Sequence, residues 1–79
     1  MADIICKVEP IMYGGLMAFK KITGTYATDG VIVTPGFQIT HVINLVDKTG
    51  NTGYFDVKTK KIAGSLTGDF EMIALGVDN

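Results

Sequence analysis

The sequence contains no arginine; all seven of its basic residues are lysines. Arginine supplies the planar fork that grips phosphate and carboxylate through paired bonds and reads guanine edges. A chain of net charge −1 without it is poorly equipped to bind nucleic acid. A single cysteine, Cys6, excludes an intramolecular disulfide. Cys6 and the one histidine, His41, are too few for a Cys/His metal site, which takes about four ligands. The only serine, Ser65 in AGSLTG, is not in a G-x-S-x-G elbow, and a base at His41 would need both a nucleophile and an orienting carboxylate. The expectation is a protein that is not an enzyme and has no cofactor or metal. MADIICKVEP lacks the basic and long apolar regions of a signal peptide. The longest uncharged apolar stretch, PIMYGGLMAF, is too short to span a membrane and is broken by Gly14 and Gly15. Synthesis and use without secretion or membrane insertion are therefore expected, and a free thiol fits a reducing compartment.

What is present is apolar and β-like. Seventy-nine residues make one β-domain, 1–79, able to bury roughly 60% of the surface its unfolded chain exposes. With 47% apolar and only 19% charged residues, the core is thin and apolar surface is left over. Disulfide and Cys/His metal being excluded, oligomerisation or attachment to a larger assembly is the remaining support. Turn signals fall at YGG (13–15), TDG (28–30), TPG (34–36), DKTGNTG (47–53), TKK (59–61) and LTGD (66–69). Between them, runs rich in Ile, Val, Phe, Tyr and Thr predict strands near 3–9, 16–26, 30–34, 37–47, 53–58, 61–65 and 69–77. Short strands at this spacing predict an all-β fold, a small antiparallel β-sandwich or β-barrel.

Alternation assigns faces. In FQITHVINLVD, Phe37, Ile39, His41, Ile43 and Leu45 share one side, which predicts a core face with His41 as a hydrogen-bonded core or interface residue. In FEMIALGV, Phe70, Met72 and Ala74 oppose Ile73, Leu75 and Val77, so the last strand is central or covered by a partner. DKTGNTG reads as a hairpin connection with positive φ at Gly50 and Gly53. Asp47, Thr49 and Asn51 fall at positions 1, 3 and 5 of a calcium loop, but Thr52 replaces its glycine and Lys58 its bidentate glutamate, which favours a plain turn. Lys58, Lys60 and Lys61 with Tyr54 and Phe55 sketch a basic, aromatic strip diluted by Asp47, Asp56, Asp69 and Glu71; a solvated hairpin is the simpler reading. The adaptable cluster Met12, Tyr13, Leu16, Met17 and Phe19 is a candidate interface.

FDVKTKKIAGSLTGDFEMIALG resembles the C-terminal end of small structural proteins of tailed bacteriophages. Those end in an aromatic strand, an Asp, a lysine-bearing turn with KI, and a strand closing on A-x-G. Here these are Tyr54-Phe55-Asp56, Lys60-Lys61-Ile62 and Ala74-Leu75-Gly76. ITGTYATDGVIVTPG is similar to their TG-x-Y…GG-x-x-x-T beginning, and ITHVINLVD to the strand that follows, so the likeness covers roughly residues 20–77. It implies a virion structural protein, in the first place a capsid decoration or cement protein, with head-fibre and tail parts as relatives. Its partners would be its own copies, a homotrimer by preference, and the major capsid protein, with no nucleic acid or membrane. Interface residues would be Met12, Tyr13, Leu16, Met17, Phe19, Tyr54 and Phe55. The AGSLTGD connection replaces a longer insertion after the KI turn, so a protruding receptor-binding part is not expected. The alternative is a small ligand- or nucleic-acid-binding β-barrel that uses Tyr54, Phe55 and the lysines.

Overall fold

A computed structural model describes residues 3–79. Eight strands follow in chain order: β1 (Asp3–Ile5), β2 (Lys7–Gly14), β3 (Met17–Thr25), β4 (Val31–Val33), β5 (Phe37–Asp47), β6 (Gly53–Asp56), β7 (Lys61–Gly64) and β8 (Asp69–Asp78). They build two four-stranded sheets, ordered β1-β4-β7-β6 and β2-β3-β8-β5, packed together as a sandwich. All pairs are antiparallel except β1 and β4, which run parallel because the chain visits the other sheet between them. Between the sheets lie Ile4, Ile32 and Ile62 from the first, and Ile22, Phe37, Ile39, Leu45, Phe70, Met72 and Ala74 from the second. Ile22 and Met72 are fully buried at the centre, each contributing about 1.5–3 kcal/mol.

The predicted first strand, 3–9, is two strands. The chain changes sheets at Cys6, whose N–H donates to the Val33 carbonyl at 2.9 Å while its thiol turns into the core. Burial pushes that thiol up to about 11, so Cys6 behaves as a small apolar residue. β2 then continues past the predicted end to Gly14. It tolerates Pro10 because it is an edge strand, and a bulge leaves Ile11 outside the register. The reversal falls at Gly15 (φ 65°) and Leu16, so PIMYGGLMAF is the tip and flanks of a hairpin.

β5 has the predicted limits but not the predicted faces. Its register against β8 shifts twice, between Ile39 and His41 and between Val42 and Asn44. At the first shift the Thr40 hydroxyl donates to the Leu75 carbonyl at 2.9 Å. Each bulge reverses the alternation. Phe37 and Ile39 therefore point inward, Val42 takes the inward place expected of His41, and Leu45 faces inward again. His41 and Ile43 are exposed, which corrects the core-facing side expected of Ile43 and removes the core alternative for His41.

β8 lies between β3 and β5, as its two apolar faces require. Its Ala74-Leu75-Gly76 segment places two small residues inward and Leu75 outward. A Cβ on Gly76 would overlap the Gln38 carbonyl and come within 2.7 Å of Phe37 Cζ, so only glycine lets β5 and β8 approach. Gly76→Ala should cost about 1–3 kcal/mol, roughly 5–20 °C in Tm by calorimetry. An unchanged Tm would show that the two strands separate freely.

The segment 47–53 turns back on itself as expected, with Val46 and Thr52 in an isolated antiparallel bridge and the Asp47 N–H donating to the Asn51 carbonyl at 3.0 Å, and it then carries the chain from β5 in one sheet to β6 in the other. Gly50 has the expected positive φ (88°), whereas Gly53 is needed for space: a Cβ there would lie 2.9 Å from the Ala63 oxygen. Asp47 organises this passage. Its carboxylate is buried and accepts from the Thr49 N–H (2.9 Å), the Thr49 hydroxyl (2.8 Å) and the Asn51 N–H (2.9 Å) on one oxygen. The other oxygen accepts from the Asn51 amide (3.1 Å) and from the Thr67 N–H (3.0 Å) in the β7–β8 connection. Thr49 and Asn51, whose spacing from Asp47 matches a calcium loop, thus turn donors toward the carboxylate, as in the plain turn expected. Among the described residues no three His, Cys, Asp or Glu side chains group to hold a metal.

Burial alone would raise the Asp47 pKa, but the donors of Thr67, Thr49 and Asn51 outweigh it and hold the carboxyl well below the ordinary 3.8. Asp69 is also lowered, by the Thr25 hydroxyl and Lys48. Lowered folded-state values mean stability that is complete above the ordinary carboxylate range and lost as pH falls below it. Unfolding measured by denaturant should therefore be flat from neutrality to about pH 4 and weaken below that. Asp47→Asn should remove much of this acid sensitivity and lower Tm by more than about 5 °C at neutral pH, since its amide would face N–H donors.

Candidate functional site

Pairing fixes which side chains leave the sandwich on the β2-β3-β8-β5 side. Met12 opposes Phe19, Phe19 opposes Leu75, and Leu75 opposes His41. Met17, Ile73 and Val77 lie on the same outer side. Antiparallel sheets ordinarily present polar side chains on a solvated face. Here half of the outer face is apolar on three neighbouring strands. Phe19, Met17, Ile73, Leu75 and Val77 are half-buried by one another, and Met12 is 62% exposed.

The other half of this face is charged, and its charges are paired. Lys21 meets Glu71 at 2.9 Å, Lys48 meets Asp69 at 3.1 Å, and Lys7 meets Glu9 at 3.6 Å. A shallow depression of about 470 Å³ lies here, lined by Lys21, Thr23, Thr25, Lys48, Asp69 and Glu71 among others. Both signs of charge are already engaged there with each other.

The β2–β3 hairpin projects beyond the body, with Met12 on the outer side and Tyr13, opposite buried Ala18, on the inner side. Ile11 and Tyr13 are more than half exposed, and Leu16 at the tip is 92% exposed. Nothing lies within 4 Å of where a Cβ would stand on Gly14 or Gly15. The base of the hairpin is anchored by Lys20, which the sequence gives no reason to bury. Lys20 points between the sheets, its ammonium 2.6 Å from Asp78 Oδ1, 4.9 Å from the Phe37 ring centre and 5.5 Å from that of Tyr13. The Asp78 hydrogen bond raises its pKa against the opposing effect of burial, so it remains an ammonium. Tyr13 therefore rests on an internal cation rather than standing free.

The structure brings together Met12, Met17 and Phe19 on one face, with Leu16 and Tyr13 on the adjoining hairpin. It separates Tyr54 and Phe55 from them and from each other. Tyr54 is 80% exposed on the outer side of the other sheet, opposite Ala63, whereas Phe55 opposes Ile62 and packs against the core. The two aromatics cannot form one stacking platform. Lys58 and Lys60 sit at the β6–β7 tip, where Asp56 accepts from the Lys58 N–H at 2.8 Å and Lys60 takes φ 59°. His41 Nδ1 lies 3.3 Å from the Thr40 hydroxyl on the exposed side. Ile73, Leu75 and Val77 form a second apolar face in the sequence, and the strand order sets that face against β3, with Leu75 opposite Phe19.

A second cleft, of about 450 Å³, is lined by Val31, Val33, Phe37, Ile39, Phe55 and Lys60 among others. It has no convergent charged cluster.

Comparison of the chain with family models, with curated proteins and with solved structures returned no match, so the apolar sheet face and its hairpin are what bear on function.

Proposed function

We propose that the protein is a structural component of a tailed-phage particle, in the first place a decoration or cement protein of the head. It oligomerises and attaches to capsid subunits through apolar β-surface. The observation that carries this reading is the outward face of the central strand, where Ile73, Leu75 and Val77 continue the apolar surface of Phe19 and Met12. A surface of this kind gains roughly 25 cal/mol per Å² when covered, less the costs of association. Repetition over many copies on one particle multiplies a modest contact into firm attachment. The resemblance of residues 20–77 to phage structural proteins supplies the context.

The binding-module alternative draws less support, because Phe55 is occupied in the core and the lysines flank only one exposed aromatic, Tyr54. Mass spectrometry of gradient-purified phage particles from a culture carrying the gene tests the proposal. Many copies per particle are expected; particles lacking the protein would overturn it. Leu16→Lys should leave Tm within about 2 °C, because the side chain touches almost nothing. It should nevertheless reduce incorporation into particles if the hairpin meets the capsid.

A further inference from the structure

We infer that the outer face of the β2-β3-β8-β5 sheet pairs with the same face of a second copy about a two-fold axis. The axis passes near the seam between Phe19 and Leu75. The inference rests on the assembly reading and names the partner of this one face.

Three features favour a second copy over another protein. The first is charge. The three cations and three anions of the face, Lys7, Lys21 and Lys48 with Glu9, Asp69 and Glu71, are paired within the chain. The face therefore offers no field to an acidic or basic partner and does not repel itself. The second is the placement of those charges, all toward one end. A two-fold axis running across the strands at Phe19 and Leu75 sets Leu75 on Leu75, Val77 on Ile73 and Met17 beside the Lys21 stem, while Lys48 and Asp69 of the two copies point outward in opposite directions. The third is the chemistry of the polar groups bordering the apolar half. Gln38, His41 and Asn44, opposite Val77, Leu75 and Ile73, each carry both donor and acceptor capacity. Such groups can meet their own copies without leaving like atoms opposed.

Size sets the strength. At about 4.8 Å between strands and about 3.4 Å per residue, six residues along four strands span roughly 19 by 20 Å. The pair then covers about 800 Å² in flat projection, and more once side-chain relief is counted. That is below the roughly 1,200 Å² at which standard specific interfaces begin, so the pair is weak and reversible.

Sedimentation equilibrium over a concentration series tests this. A monomer–dimer equilibrium is expected, weakened at least about tenfold by Leu75→Lys, which would bury an unpaired charge. Tyr54→Lys, on the opposite sheet, should leave it unchanged. A chain that stays monomeric to about 1 mM, a trimer, or a dimer indifferent to Leu75→Lys overturns the inference. If Leu75→Lys fails to fold by circular dichroism, Leu75→Cys decides. It should form a disulfide-linked dimer under mild oxidation while buried Cys6 stays unreactive. Linkage through Tyr54→Cys or Leu16→Cys instead of Leu75→Cys would overturn the two-fold face. A monomer that is still found in purified particles would sink the pairing alone, and a dimer absent from particles would sink the proposed function alone.

Discussion

A single carboxylate holds the closed end of the sandwich. Two of the chain's passages between sheets, from β5 to β6 and from β7 to β8, cross beside Asp47, and both donate backbone N–H groups to it. Neither loop is long enough to bury apolar side chains of its own, apart from Leu66, which joins the core next to Thr67. The conformational cost of ordering them is offset by charge-assisted hydrogen bonds that no neutral side chain could supply in the same number. The opposite end depends on Lys20 and Asp78 in a comparable way, with an ammonium in place of the carboxylate. A thin core is thus bracketed by two internal ionic anchors, leaving the apolar residues in excess of the core free to form an outer face.

That division explains why one strand is apolar on both sides. Met72, Ala74 and Gly76 face the interior, where small residues let β5 come close, while Ile73, Leu75 and Val77 have no such duty within the chain. The bulges in β5 serve the same face. By reversing the alternation at Thr40 they bring Val42 to the core and place His41 beside Leu75 at the border of the apolar patch. The bulges of β2 and β5 also interrupt both edges of this sheet, and Pro10 removes one edge donor. Lateral addition of strands is disfavoured in consequence, and contact through faces is left.

Much of this was legible in the residues. The all-β class, the limits of β5, the central position of β8 and the turn at Gly50 follow from alternation and turn chemistry. So does the prominence of the Met-rich segment. What was hidden depends on pairing. No composition rule marks Thr40 or Ile43 as a bulge residue, because a bulge is set by the partner strand, and with it goes the side on which His41 emerges. The split at Cys6 was hidden for the same reason: a strand that changes sheets reads as one continuous run. Asp47, Thr49 and Asn51 looked like the start of a cation loop because oxygen-bearing side chains at that spacing suit both purposes. Whether N–H groups or oxygens converge is decided by Thr67, twenty residues away. Tyr54 and Phe55 are adjacent in sequence and therefore opposed in a strand, so an aromatic pair in the text is not an aromatic pair in space.

The central place of β8 also orders events in time. Ribosomes deliver β3 and β5 well before β8, so the two longest strands preceding it wait with their inner edges open until the strand between them emerges. The same strand carries Ile73, Leu75 and Val77, which complete the outer apolar face. A nascent chain therefore cannot display the finished apolar face before its own sheet has closed. Closure of the sheet and completion of its outer face are thus one event, and a chain interrupted before Asp69 presents neither.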